Sequence, residues 1–228
     1  MGDIKSHTTK KNMELDKMKA YSIEEAVKLT KELSKTKFDS SVEVHIRLGI
    51  DTRKGDQQIR GAVSLPNGTG KTVRVAAFVS ADKEDACKKA GADLVGSEDL
   101  IEEIKRTEKT DFQVAVAEPA MMKNLAKIAK ILGTRGLMPS PKNETVTPTP
   151  EKAVEELKKG KVSYKNDDTG NVHVSIAKTS FDDAKIIENF NTLLEAIKKA
   201  KPSSAKGIYI KNVSMSSTMG PGIKVSIG

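Results

Sequence analysis

The chain has no tryptophan, a single cysteine and only 4% aromatic residues, and each scarcity excludes something. Without broad aromatic surfaces, a stacking platform for single-stranded nucleic acid is not expected. Cys87 alone can form neither an internal disulfide nor a cysteine-based zinc site, which fits a reducing compartment. No apolar run approaches a membrane span, so no membrane partner is expected. The first 20 residues carry Lys, Asp and Glu without an apolar stretch, so no secretory signal is expected. Lys5, Lys10 and Lys11 read instead as a basic N-terminal arm. The histidines are His7, His45 and His173, and none clusters with cysteines or carboxylates at metal-ligand spacing. His45 and His173 read as residues of polar strand faces. There is no Gly-x-Ser-x-Gly elbow and no Cys-His nucleophile signature. The expectation is therefore no catalytic residue, no metal and no cofactor.

What is present is charge. The 228 residues include 39 Lys+Arg and 31 Asp+Glu, a formal net charge of +8. Residues 68–159 hold 16 and 15 of these, a net of +1, whereas the flanks 1–67 and 160–228 together hold 23 and 16, a net of +7. A polyanion-binding face would thus sit on a unit built from both ends of the chain.

Hydrophobic spacing divides the chain in the same way. Ser22-Ile23-Glu24-Glu25 is a capping box, and Ile23, Ala26, Val27, Leu29 and Leu33 predict a helix over about 22–36. Val42, Val44, Ile46 and Leu48 alternate with Glu43, His45 and Arg47, which predicts a half-buried strand. Ile59–Leu65 predicts a second. The middle then alternates apolar strands (Val73–Val79, Asp93–Val95, Val114–Ala117) with helices, the first capped by Asp82, the second by Ser97 and the third opened by Pro119. That pattern argues for a small parallel α/β unit. A helix over Glu151–Lys159 ends at Gly160. Strands at Lys161–Lys165 and Asn171–Ile176, a helix over Asp182–Lys199, and strands at Ile208–Ser217 and Ile223–Ile227 complete the pattern.

Three glycine-rich segments carry possible chemistry. Gly68-Thr69-Gly70-Lys71-Thr72 resembles the end of a phosphate loop, but Leu65 stands where that motif needs glycine, and a strand rather than a helix follows. A flexible connector is the better reading. Gly133-Thr134-Arg135-Gly136-Leu137-Met138-Pro139 follows a helix with Lys123, Lys127 and Lys130, and reads either as a helix exit or as a loop that touches an RNA backbone. Thr218-Met219-Gly220-Pro221-Gly222 reads either as a hairpin turn or as a close-approach loop for another surface.

The order of four motifs is more specific than any one of them. Lys37-Phe38-Asp39-Ser40-Ser41-Val42-Glu43-Val44-His45, Arg60-Gly61-Ala62-Val63-Ser64-Leu65-Pro66, Gly133 to Pro139, and Thr218-Met219-Gly220-Pro221 resemble the ribosomal protein L-one family, in a form that looks bacterial, from about Tyr21 onward. The resemblance implies an α/β protein: a discontinuous two-layer α+β domain I that binds RNA (1–67 and 160–228), with an inserted Rossmann-like three-layer α/β domain II (68–159). The inserted unit lacks a dinucleotide fingerprint, so its fold implies no cofactor. The connectors near Pro66–Gly70 and Pro148–Gly160 would form the hinge.

By resemblance the RNA site comprises Phe38, Ser41, Glu43, Thr218, Met219 and Gly220, with Lys37, Arg53, Lys165 and Lys178 adding charge and His173 and Asn212 completing it. Phe38 and Met219 can shield hydrogen bonds and pack on sugar or base, although core packing is the alternative for Phe38. Ser41 and Thr218 can bond sugar hydroxyls or phosphates, and Gly220 lets the RNA backbone approach. Glu43 is repelled by phosphate and can accept from a 2′-hydroxyl or base amino group, favouring RNA over DNA. Asn212 stands where the family often has a small hydroxyl residue; its amide can still hydrogen-bond.

The implied partners are large-subunit rRNA at the mobile stalk, exit-site tRNA and the mRNA of its own operon, with the free protein a monomer. The implied location is cytoplasmic and ribosome-associated, with an organelle as the alternative. A rival reading from a different class is a small-molecule-binding or catalytic protein, using a pocket at the ends of the strands Val73–Val79 and Val114–Ala117.

Overall fold

The structure, a computed structural model, describes residue 16 and residues 19–226. The basic-arm residues Lys5, Lys10 and Lys11, as well as His7 and Ile227, lie outside the described residues. In chain order the elements are α1 (Ile23–Glu32), β1 (Ser41–Leu48), β2 (Arg60–Ser64), β3 (Val75–Phe78), α2 (Ala81–Lys89), β4 (Leu94–Gly96), α3 (Glu98–Thr107), β5 (Val114–Ala117), α4 (Met122–Leu125), α5 (Ala129–Thr134), α6 (Pro150–Lys159), β6 (Lys161–Lys165), β7 (Asn171–Lys178), α7 (Asp183–Lys199), β8 (Ile210–Ser217) and β9 (Ile223–Val225). The mixed α/β class is the expected one.

The chain divides into two compact units, residues 1–59 with 165–228, and residues 60–164. The first unit is a four-stranded sheet in the order β7-β1-β8-β9, with β1 antiparallel to both neighbours and β8 antiparallel to β9. Helices α1 and α7 pack on one face of it. Val42, Val44, Ile46, Val172, Val174, Ile176, Val213, Met215 and Ile223 point into this layer and are buried, as are Val27, Ile186, Phe190, Leu193 and Ile197 from the helices. The capping box at Ser22 and Glu25 forms, satisfying two orphan donors of the first turn of α1. Buried Asn189 donates to the Ile176 carbonyl at 2.8 Å, so its amide is not left unpaired in the core.

The second unit has three layers. Its parallel sheet runs β4-β3-β5. Alternate residues of β3 feed two cores: Ala76 and Phe78 meet Ile101, Ile104, Leu125, Ile128 and Leu132 on one face, and Val75 and Ala77 meet Cys87, Val154 and Leu157 on the other. The period of two along one strand thus serves both faces, as a sheet covered on both sides requires. Burial pushes the Cys87 thiol above its ordinary pKa, which leaves it an inert core residue.

Several expectations change here. Asp82 does not cap α2: the N-cap is Ser80, whose hydroxyl donates to Glu118. The divisions fall at 59/60 and 164/165 rather than 67/68 and 159/160. The reason is that β2 and β6 pair with each other in a two-stranded sheet and so belong to the inserted unit. Nor are Gly68 and Gly160 loose connector residues. They meet backbone to backbone, Gly160 caps α6 at φ 111° and accepts from Leu65 N–H, and Gly68 lies at φ 65°. With these bounds the first unit carries 21 Lys+Arg and 16 Asp+Glu, a net of +5, and the second 18 and 15, a net of +3. Net charge therefore separates the units less than the sequence suggested, and the display of particular side chains becomes the more informative quantity.

Candidate nucleic-acid interface

Because β1 alternates, the face of the first sheet opposite α1 and α7 is polar. Successive rows across it are Glu43 with Ser175 and Ser216, His45 with His173 and Ser214, and Arg47 with Asn171 and Asn212; Lys224 continues the His45 row on β9. Arg47, His173, Asn212 and Lys224 are exposed, and Glu43 and His45 half-buried. Glu43, His173 and Asn212 were expected in the site. His45, Arg47, Ser214, Ser216 and Lys224 were not, although the alternation of Glu43, His45 and Arg47 in the sequence already placed the β1 members on one face.

A hydrogen-bonded chain crosses this face. His45 Nε2 lies 3.0 Å from Ser216 Oγ, the two Nδ1 atoms of His45 and His173 are 2.8 Å apart, and His173 Nε2 lies 3.4 Å from Asp167 Oδ2. Burial first, and then the neighbouring His173, lower the pKa of His45 and favour its neutral form; Glu43 opposes them. Asp167 closes the turn between β6 and β7. It accepts from the backbone N–H groups of Thr169 at 2.9 Å and Asn171 at 2.7 Å, and from their side chains. Desolvation pushes its carboxyl up, but the bonds from Asn171, Thr169 and His173 together outweigh this and hold it well below the carboxylate range.

A depressed folded pKa contributes stability that is fully present above the unfolded value of about 3.9 and is lost as pH falls through the folded value. Asp167→Asn should therefore be less stable than the parent at pH 7, and the gap should shrink progressively below about pH 4. Urea midpoints measured from pH 7 to pH 2 check this; a constant gap would contradict it.

One end of the face is formed by three converging segments: residues 37–40 before β1, 178–181 at the end of β7 and beyond it, and 218–222 after β8. Phe38 is 57% exposed and Met219 71% exposed, so neither is a core residue. Lys37 is exposed as well. Thr218 ties the last of these segments to the start of β1: its hydroxyl accepts from Ser41 N–H at 3.0 Å, and its own N–H donates to the Ser41 carbonyl at 3.1 Å. The hydroxyl expected to meet RNA thus first holds the loop to β1. Gly220 carries a similar double demand. A Cβ there would stand 2.2 Å from the Oγ of buried Ser217 and force that side chain to move, and the Gly220 N–H closes the turn onto the Ser217 carbonyl at 3.0 Å. Lys178 is half-buried and its Nζ donates to the Asp39 carbonyl at 3.0 Å, which makes it first a loop anchor.

The other expected residues lie elsewhere. Asn212 pairs with Arg47, six residues along β1 from Ser41, about 20 Å away at a strand's rise. Exposed Arg53 follows β1 and exposed Lys165 ends β6, on the same side as the Asp167 turn. The expected set therefore forms two groups at opposite ends of the sheet, with His173 between them, and a ligand touching both must be long.

A family model described as the ribosomal protein L1p/L10e family matches residues 29–221. The chain belongs to this family. It is thus a large-subunit ribosomal protein that binds rRNA, and it associates with the ribosome as a structural component. No helix among the described residues is long and apolar enough to cross a membrane, and no group of three or more His, Cys, Asp or Glu side chains among them could hold a metal ion.

Membership also bears on the rival use of the inserted unit. At the carboxyl ends of β3 and β5, where open α/β sheets take anionic ligands, this L1p/L10e family member places Glu118. Its carboxylate accepts from Lys83 Nζ at 2.8 Å and from Ser80 Oγ at 2.9 Å, and Lys83 also donates to the Pro148 carbonyl at 2.8 Å. The bond from Lys83 first, then that from Ser80, keeps Glu118 below its ordinary pKa despite desolvation. A fixed negative charge whose partner lysine is already engaged repels a phosphate. The Gly68–Thr72 segment likewise runs into β3 without a helix behind it. Arg135, in the second glycine-rich loop, donates to the Glu108 carbonyl at 2.9 Å and to Thr110, which makes that loop a brace for the end of α3.

Proposed function

We propose that the polar face of the β7-β1-β8-β9 sheet, with the two loops that display Phe38 and Met219, is the rRNA-binding site of this protein, and that the rRNA is that of the mobile stalk near the exit site. The observation that carries the reading is the placement of two exposed apolar side chains beside a row of hydrogen-bonding groups on a face that α1 and α7 leave uncovered. RNA is recognised by shape, 2′-hydroxyls and backbone more than by groove edges, and this face offers Ser, Asn, His, Arg and Glu side chains for that purpose. Glu43, in the middle of the sheet, is placed to accept from a 2′-hydroxyl or base amino group and to disfavour DNA. Arg47, Arg53, Lys165 and Lys224 supply the phosphate contacts.

We further propose roles beyond rRNA binding. The protein moves with the stalk and assists departure of deacylated tRNA from the exit site, and a similar RNA fold in its own mRNA lets it repress its translation. It works in the cytoplasm, on the ribosome.

The test is a titration of the purified protein with a stalk rRNA fragment and with an unrelated hairpin of equal length, across a salt series. The expected result is tight binding to the stalk fragment that persists at physiological salt, with weak binding to the control. Equal and steeply salt-dependent binding to both would reduce the face to a general polyanion surface.

A further inference from the structure

One carboxylate makes three of the bonds that hold the segment displaying Phe38. Asp39 Oδ1 accepts from Thr179 Oγ1 at 3.0 Å and from Ser180 N–H at 3.1 Å, and Oδ2 accepts from Ser180 Oγ at 2.9 Å. The backbone on either side is tied the same way. Lys178 Nζ donates to the Asp39 carbonyl, Thr179 N–H to the Ser40 carbonyl at 2.9 Å, and Thr36 Oγ1 to the Phe38 carbonyl at 2.8 Å. Ser34 Oγ and Ser40 Oγ are 2.6 Å apart. These hydroxyls line a shallow cleft with Lys31, Ser34, Thr36, Thr179 and Ser180 around Phe38. Their bonds run to one another, to Asp39 and to the backbone, while Phe38, at the edge of the same cleft, remains 57% exposed.

An exposed phenyl ring on a loop of threonines and serines would ordinarily fold down onto nearby apolar surface, because burial is favourable. Here the loop is fixed from the β7 side, and the cleft beneath it is polar. Asp39 supplies three of those fixing bonds, and it joins two chain segments 140 to 141 residues apart. Its pKa is lowered, chiefly by the Ser180 hydroxyl and against desolvation, so it acts as a charged acceptor.

We infer that Asp39 is a positioning residue for RNA: its carboxylate clasps the 37–40 loop to residues 179–180 and so holds Phe38 out for the nucleic acid before it arrives. Such preorganisation lowers the cost of ordering a loop on binding. The inference rests on the reading that Phe38 touches RNA. It adds that the neighbouring acid, which should itself repel phosphate, strengthens binding through the ring.

The test is a double-mutant cycle on the full chain with the stalk rRNA fragment, using Asp39→Ala, Phe38→Ala and the pair, with Asp39→Asn as the conservative variant and melting temperatures for all four. Phe38→Ala should weaken binding about tenfold, and Asp39→Ala by a similar factor. The pair should bind no more weakly than Phe38→Ala alone, because the clasp acts through the ring. Asp39→Asn should recover part of the loss, since its amide oxygen can still accept from Ser180 N–H. Parental affinity in Asp39→Ala, with Phe38→Ala weakened, would overturn the clasp alone. So would an undiminished Asp39→Ala effect in the Phe38→Ala background. Parental affinity in Phe38→Ala would overturn the interface reading, and the clasp with it.

Discussion

Replacing Phe38 and Met219 together with alanine should weaken binding of the stalk rRNA fragment by about 100-fold and leave the melting temperature within a few degrees of the parent. Both parts follow from exposure. At 57% and 71% exposed, the two side chains contribute little to the core, and surface substitutions of that kind shift stability by only about 0.5 kcal/mol. On the RNA they have the opposite weight. A side chain that packs on a base or sugar contributes about 1–3 kcal/mol by alanine substitution, and each 1.4 kcal/mol is about a factor of ten. The backbone bonds that fix the 218–220 turn, from Thr218 N–H to Ser41 and from Gly220 N–H to Ser217, do not involve the Met219 side chain, so the turn should survive. Fluorescence titration at physiological salt measures the affinity. A loss smaller than threefold would mean that these residues are exposed for another reason.

The second large effect falls on stability. Gly160→Ala should destabilise the protein by about 3 kcal/mol, because two costs coincide. Gly160 sits at φ 111°, a conformation that L side chains rarely adopt, and an added Cβ would stand 2.4 Å from the Gly68 Cα and 3.3 Å from its carbonyl carbon. The obstacle is backbone, which cannot rotate aside as a side chain can. Gly68 in turn is held at φ 65° with its own Cβ position 3.3 Å from the Lys159 carbonyl oxygen. The denaturant midpoint should fall accordingly. RNA affinity measured well below the melting transition should change by no more than about twofold, since neither glycine belongs to the unit that carries the proposed site. An unchanged midpoint would show that the close approach of Gly68 and Gly160 is not maintained in solution.

The sequence made local features readable and left long-range ones obscure, for physical reasons visible at particular residues. Ser22 and Glu25 declare the start of α1 because a capping box satisfies its donors within four residues. Ser80 was missed in favour of Asp82 because its partner, Glu118, is 38 residues away. The helix expected after Pro119 is instead a succession of short 3-10 and α turns from Pro119 to Thr134, with Ile128 at φ −117°. Met121, Leu125, Ile128 and Leu132 face the core all the same. Periodicity reports which side chains are buried, not which carbonyl each N–H reaches.

The candidate site divides along the same line. Alternation on β1 made Glu43, His45 and Arg47 legible as one polar face. Their neighbours on β7 and β8 depend on a register between strands more than 120 residues apart, and that is why the His45–His173 and His45–Ser216 contacts could not be foreseen. Family resemblance named Thr218, Gly220 and Lys178, but not that each also serves the shape of a loop. The charge partition was legible only as far as the domain bounds, and moving Arg60 and Lys161 across them changed it.

The central claim is that rRNA lies on the polar sheet face of the discontinuous unit, against Phe38 and Met219. Hydroxyl-radical footprinting of the protein with and without a saturating stalk rRNA fragment tests it most directly, since phenylalanine, methionine and histidine are all reactive probes. Oxidation of Phe38, Met219 and His173 should fall sharply when RNA is bound, while the half-buried Met122 and Met138 of the inserted unit keep their rates. Unchanged oxidation of Phe38 and Met219, with protection at Met122 or Met138 instead, would place the RNA on the inserted unit and contradict the account.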